Sequence, residues 1–180
     1  MILGPDWVFV SVPKCATHSL YELLTTRYGG IRNEGAYHQN MIPREHRDKP
    51  VFTCVRSPWT RTVSAWGRMV HPEREEEPMP FPAFVSWLID SPHPGKPVYQ
   101  PMSTWLSPVL DRVHAWRLES LDRDMAESGF SRHETVPRLW TARERGIGRD
   151  ATDITPWADV PSPIVSLWKE WAAEDFERWY

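Results

Sequence analysis

Two short runs of β-branched and aromatic residues, 7–12 (WVFVSV) and 51–55 (VFTCV), each break off at a polar turn, and behind each turn a stripe of apolar residues with helical spacing begins. Continuously apolar runs of this length suit buried strands. The first run stops at Pro13 and a loop covers 13–17. From 18 to 28 Leu20, Leu23, Leu24 and Tyr28 fall at helical spacing, with Thr17 or His18 near the cap and Gly29-Gly30 as the stop. The second run leads into Arg56, and Ser57 and Pro58 read as the N-cap and first position of another helix. Along that helix Trp59, Val63, Trp66 and Val70 form an apolar stripe while Arg61, Ser64 and Arg68 share the opposite side, so one face packs and the other meets a site or solvent.

Further along, residues 31–50 are polar and irregular, 71–80 (HPEREEEPMP) form a charged, proline-rich loop, and 81–90 resume a helical pattern before a second proline-rich break at 91–97. A third strand is expected at 113–118 (VHAWRL), followed by a polar helix near 121–127. Residues 141–162 carry arginines, glycines and prolines without a period, as a long functional loop does. An amphipathic helix closes the chain, with Ile164, Leu167, Trp168, Trp171, Phe176 and Trp179 on its apolar side. Strands separated by helices predict an α/β fold, with a small central parallel sheet flanked by helices in a P-loop-like three-layer arrangement, and ligands outside the carboxyl ends of the strands. The 180 residues fit one domain, 1–180, with a single core.

A net charge of -3 argues against a general nucleic-acid binder, so any anion site must be local. Cys15 and Cys54 sit in or beside apolar stretches, away from the spacing of a disulfide framework or a zinc site, and read as reduced and metal-free. The first residues, MILGPDWVFVSVPK, lack a basic n-region and place Pro5 and Asp6 where a signal peptide would be apolar, and no apolar run reaches membrane-spanning length. The expectation is a soluble, cytoplasmic protein with no membrane partner. Eleven tryptophans are assigned mostly to the core, although such rings also stack on sugars and bases.

Two segments carry chemistry. In VFVSVPKCATHSL a strand runs into a helix N-terminus with a lysine and hydroxyls in the turn, so backbone N–H groups, the helix dipole, Lys14, Thr17 and Ser19 make an anion cradle. The same residues would also suit a plain strand-to-helix turn with a solvated lysine. The Walker pattern G-x-x-x-x-G-K-[ST] is absent from the chain. In VFTCVRSPWTRTVSAW, Arg56 stands at a strand end and Ser64 on the next helix, a forked cation and a hydroxyl suited to phosphate. Two anion sites at neighbouring strand ends suit a ligand with two separated phosphates.

PKCATHS at 13–19 and RSPWTRTVSAW at 56–66 resemble, in order and in context, two motifs of the sulfotransferases that use 3′-phosphoadenosine 5′-phosphosulfate (PAPS), most closely their carbohydrate, heparan-sulfate-like branch. There a PK-x-x-[ST]-x-S loop holds the 5′-phosphosulfate and an R-x-P-x-x-R-x-x-S-x-[YW] element holds the 3′-phosphate. YQPMSTWL at 99–106, VHAWRLESL at 113–121 and EDFERWY at 174–180 resemble later landmarks more faintly, so the likeness spans the chain with its strong motifs in the first 66 residues. It implies a donor loop of Lys14, Cys15, Ala16, Thr17, His18 and Ser19. Lys14 would meet the bridging and sulfuryl oxygens, Thr17 and Ser19 the 5′-phosphate, and Arg56 and Ser64 the 3′-phosphate. His18 departs from the hydroxyl residue more usual there.

Sulfuryl transfer needs in-line placement and neutralisation of a leaving phosphate, which Lys14 would supply without a metal, and a base beside the sulfur to take the acceptor's proton. His38, in EGAYHQN between the two motifs where near relatives carry a histidine, is the candidate base, with Glu34 and His18 in reserve. His46 reads as solvated and His114 as part of a strand. Arg117 and Glu119 would line an acceptor pocket or form a surface ion pair, and Arg143, Arg145 and Arg149 would close over the nucleotide or hold an anionic sugar, or be solvated. Two other functions fit less of the pattern: a P-loop-type nucleotide kinase, and a non-catalytic nucleotide- or glycan-binding protein of the same fold. The donor motifs are silent on which alcohol accepts the group.

Overall fold

Five strands, β1 (Ile2–Leu3), β2 (Val8–Phe9), β3 (Ile31–Arg32), β4 (Val51–Val55) and β5 (Val113–Arg117), lie side by side in the order β3-β1-β2-β4-β5. They belong to a computed structural model that describes residues 1–34, 38–69, 79–90, 96–130 and 155–180. The fold is α/β. Strands β2, β4 and β5 are parallel, with Val8 opposite Val51 and Val51 opposite Val113, whereas β1 is antiparallel to both β2 and β3. The expected parallel sheet is therefore mixed. Its antiparallel edge escaped the sequence because strands of two residues have no periodicity to show, and because β1 turns straight into β2 through a tight bend closed by Gly4 N–H donating to Trp7 O at 2.8 Å.

Position in the sheet explains the two apolar runs. Strand β4 lies between β2 and β5 and is buried at all five residues, as a central parallel strand must be. Its one hydroxyl, Thr53, donates to Val10 O of the neighbouring chain segment at 2.7 Å, so no polar group is wasted. The β2 pairing runs past the strand's formal end, since Val10 N–H donates to Phe52 O at 2.9 Å.

Seven helices are described: α1 (Thr17–Arg27), α2 (Pro58–Met69), α3 (Phe81–Asp90), α4 (Met102–Leu106), α5 (Leu121–Glu127), α6 (Ser162–Trp171) and α7 (Ala173–Trp179). The single closing helix expected over the last residues is broken at Ala172, whose φ of -100 and ψ of 10 leave the helical basin. Despite the break, Trp168 and Phe176 still meet edge to face at 5.7 Å. The α1 end needs both glycines. Gly29 has φ of +65, and a Cβ on Gly30 would lie 2.4 Å from Ile2 Cγ2 and 2.9 Å from Leu24 O.

The chain forms two compact units. The first comprises Met1–Arg56, the described part of Met102–Leu139, and Trp179; the second comprises Ser57–Pro101, the described part of Trp140–Arg178, and Tyr180. In the first, Phe9 and Phe52 stack on Trp116 at 5.9 and 5.3 Å, and Phe130 meets Trp116 edge-on at 5.0 Å. In the second, Trp59, Trp157 and Trp168 form one aromatic knot, with Trp157 Nε1–H donating to Trp59 O at 3.2 Å and Trp157 4.3 Å from Trp168. Every described tryptophan is buried or half-buried. No helix among the described residues is long and apolar enough to cross a membrane. Of the loops expected at 71–80, 91–97 and 141–162, residues 71–78, 91–95 and 141–154, with Arg143, Arg145 and Arg149, lie outside the described residues, as does Val70.

Candidate functional site

Because β2 and β4 are parallel neighbours with Phe9 opposite Phe52, the segments leaving their carboxyl ends start side by side. Beyond β2 the chain runs buried through Ser11, Val12 and Pro13 and then curls. Two donors gather on one carbonyl to make the curl: Cys15 N–H reaches Val12 O at 3.3 Å and the Thr17 hydroxyl reaches it at 3.1 Å. Lys14 (φ 70) and Ala16 (φ 53) take left-handed backbone, and among the described residues they are the only non-glycines that do. Each such residue costs about 1–2 kcal/mol, which the surrounding structure must over-determine, and such strain concentrates at ligand sites. Left-handed residues in a turn also swing successive N–H groups into one concavity, the usual form of an anion nest. Ala16 stands at the N-cap of α1 with no side-chain capping bond, so the positive end of an 11-residue helix meets the same loop.

Arg56, at the end of β4 and only 5 % exposed, extends Nη1 to the Lys14 carbonyl at 3.3 Å. The structure therefore joins the lysine of one motif to the arginine of the other, 42 residues apart. The rest of the loop divides by burial. Lys14 and Ala16 are half-buried and His18 is exposed, whereas Cys15, Thr17 and Ser19 are buried. The Cys15 thiol points to protein partners, 3.8 Å from Met102 Sδ and 3.8 Å from Pro13 O. The Thr17 proton is directed at Val12 O, so this hydroxyl braces the loop in the observed conformation. Ser64 is on α2, half-buried, and belongs to the second unit. Arg61, expected on the face turned to a site or solvent, is instead 4 % exposed and donates to Gln100 O at 2.8 Å and Pro97 O at 3.1 Å. Loop carbonyls without strand partners need donors, and a guanidinium supplies several at once.

His38 is half-buried, and its Nδ1 lies 3.2 Å from Ser11 Oγ. Ser11 is fully buried, and its hydroxyl lies 3.0 Å from Tyr21 Oη of α1. His38 walls a shallow hollow of about 280 Å³ with Asn33, Gln39, Asn40 and Met41, all uncharged. Amides hold this segment: Asn33 Nδ2 donates to Gln39 Oε1 at 2.7 Å and Asn40 Nδ2 to Trp105 O at 2.7 Å, while Trp105 Nε1–H returns to Ser11 O at 3.1 Å. Sequence reasoning missed Ser11, Tyr21 and Asn40. The available signal was a lone hydroxyl inside the apolar run WVFVSV.

The other candidates stand apart from this network. Glu34 is exposed, and His114 is exposed on β5 with its ring 5.4 Å from Phe52. His46 is half-buried with Nδ1 buried and unpartnered. Arg117 pairs with Asp124 of α5 at 3.4 Å. Burial would raise the Asp124 carboxyl, but donors from the Arg117 backbone, Ser120, Arg123 and the Arg117 side chain outweigh it and hold the group below its ordinary value. Cys54 and Cys15 are buried and form no disulfide, and burial, with the neighbouring Cys15, pushes the Cys54 thiol well up. Compared with protein-family models, curated proteins and solved structures, the chain matches none.

Proposed function

We propose that this chain is a PAPS-dependent sulfotransferase that places a sulfuryl group on an acceptor hydroxyl, of a carbohydrate, using β2, the loop behind it and α1 as a P-loop-like anion site. The observation that carries the reading is the strained pair Lys14 and Ala16 in a loop opening on an uncapped helix, with Arg56 drawn to the Lys14 carbonyl. Two left-handed non-glycine residues in one loop suit an anion nest.

In this reaction the acceptor oxygen attacks sulfur, the bond from sulfur to the bridging oxygen of the 5′-phosphate breaks, and adenosine 3′,5′-bisphosphate leaves with the electron pair. His38 takes the acceptor's proton. Lys14, whose backbone is held by Arg56, neutralises the charge growing on the leaving phosphate, and the backbone N–H groups around Ala16 hold the 5′ group. Lys14, Ala16, His38 and Arg56 all lie in the first unit. Two buried thiols that form no disulfide support a reducing, cytoplasmic setting.

The test is transfer of label from PAPS to a panel of sugars, with adenosine 3′,5′-bisphosphate appearing in equal amount. Lys14→Ala should stay folded and lose about 10²–10³ in rate, the usual worth of one preorganised group on developing charge. Absence of transfer with every acceptor, or full activity in folded Lys14→Ala, sinks the reading.

A further inference from the structure

A histidine acts as a base through one nitrogen only, and which nitrogen is set by the hydrogen bond the other makes. For His38 that other bond goes to a residue outside both phosphate motifs. We propose that Ser11 is the positioning residue of the site: its hydroxyl accepts Nδ1–H of His38 and donates to Tyr21 Oη, which fixes the tautomer that carries its lone pair on Nε2. This rests on the reading of His38 as the base.

The geometry supplies each link. Ser11 Oγ lies 3.2 Å from His38 Nδ1 and 3.0 Å from Tyr21 Oη, distances at which one hydroxyl serves both neighbours. The serine is fully buried, so water does not compete for either bond. Tyr21 is 1 % exposed, its oxygen also accepts from the Met1 amino nitrogen, and the Arg32 guanidinium lies over its ring at 5.0 Å from the centroid. Protons directed from His38 to Ser11 to Tyr21 end on an oxygen already placed to accept. With this direction the Nδ1–H bond is the same before and after Nε2 takes a proton, so nothing in the network has to turn during the reaction. The opposite direction would place the proton on Nε2 and leave no base there.

Position ties this device to the donor loop. Ser11 precedes Lys14 by three residues, so their Cα atoms are at most about 11 Å apart whatever the turn between them. The Ser11 carbonyl is held by Trp105 Nε1–H at 3.1 Å, and Trp105 O in turn holds Asn40, two residues past His38. A single strand end thus carries the support of the base and, one turn later, the lysine.

The experiment uses ¹⁵N-histidine-labelled full-length protein and needs no substrate. At a pH where the ring is neutral, nitrogen shifts and long-range couplings should assign the proton of His38 to Nδ1 in the wild type. In Ser11→Ala the ring should become a mixture of tautomers, and in Tyr21→Phe it should move the same way by less. Transfer from PAPS should fall about 10- to 100-fold in Ser11→Ala with the affinity for adenosine 3′,5′-bisphosphate unchanged. A proton on Nε2 in the wild type, or an unaltered tautomer and rate in folded Ser11→Ala, overturns the proposal. Should Ser11→Ala fail to fold, the wild-type and Tyr21→Phe spectra still decide it. A chain that shows the Nδ1–H form yet transfers nothing from PAPS keeps the hydrogen-bond assignment and loses the functional reading, so the two failures are told apart.

Discussion

Arg56 has two ways to matter, and they predict different numbers. Its guanidinium is buried at the end of β4 and bonded to the Lys14 carbonyl, so it braces the loop; it is also the motif cation proposed for a second phosphate. If it grips the 3′-phosphate, Arg56→Ala should weaken adenosine 3′,5′-bisphosphate by about ten- to a hundred-fold, the worth of a charge-assisted hydrogen bond of roughly 1.5–3 kcal/mol, and leave adenosine 5′-phosphate far less affected. Equal weakening of both ligands by calorimetry would reduce Arg56 to its bracing role. The places of Lys14 and Arg56 behind β2 and β4 were both legible in the sequence, because a cation just after an apolar run marks where a buried strand ends. The bond of the Thr17 hydroxyl to Val12 O was not legible, because its partner is a backbone group that no spacing of side chains reveals.

Between elements, the strand-to-helix step after β5 is fastened by Asp124, which collects the backbone and side chain of Arg117, Ser120 and Arg123. Its carboxyl is held below the ordinary value in the folded chain, so the unfolded chain binds the proton more readily. The charge therefore stabilises the fold at pH above about 4, where the unfolded carboxyl is ionised, and the gain disappears as pH falls through the lower folded value. Asp124→Asn should cost about 1–2 kcal/mol near pH 7, since the serine and backbone donors remain while the arginines are largely solvated. The difference in melting temperature between wild type and Asp124→Asn should shrink steadily below pH 4; a gap independent of pH would mean that the charge is not what fastens α5. At this scale the sequence read well wherever an element was long enough to show a period. The helices α3 and α5 and the strand β4 fall at the expected residues. Strands β1 and β3, at two residues each, and helix α4, at five, are held by pairing and packing partners far along the chain, which a local pattern cannot contain. The break at Ala172 is of the same kind, a tertiary choice made against a continuous amphipathic stripe.

For the molecule as a whole, the α/β order of elements was legible, and so was the neighbourhood of the two turns that follow β2 and β4, because a parallel β2–β4 pair sets both strand ends on one edge. The support of His38 was not, since Ser11, Tyr21 and His38 meet across 10 and 27 residues of chain with no motif to announce them. What the whole fold adds is a thermodynamic link between ligand and stability. A loop with strained Lys14 and Ala16 is formed only in the folded chain, so a ligand that binds it must raise the melting temperature by mass action. At a hundredfold excess over its dissociation constant, adenosine 3′,5′-bisphosphate should contribute about 2.7 kcal/mol, or a rise of roughly 5–10 °C for a chain of this size. ATP with magnesium at the same concentration should contribute less, because it lacks the 3′-phosphate and the loop lacks a Walker pattern. Lys14→Ala should abolish most of the bisphosphate shift while leaving the unliganded melting temperature within about 1–2 °C, since a half-exposed loop lysine contributes little to packing. Differential scanning measurements on the two proteins with the two nucleotides decide among the candidate functions. A larger shift with ATP and magnesium would point to phosphoryl chemistry, and equal bisphosphate shifts in wild type and Lys14→Ala would remove the strained loop from the binding site altogether.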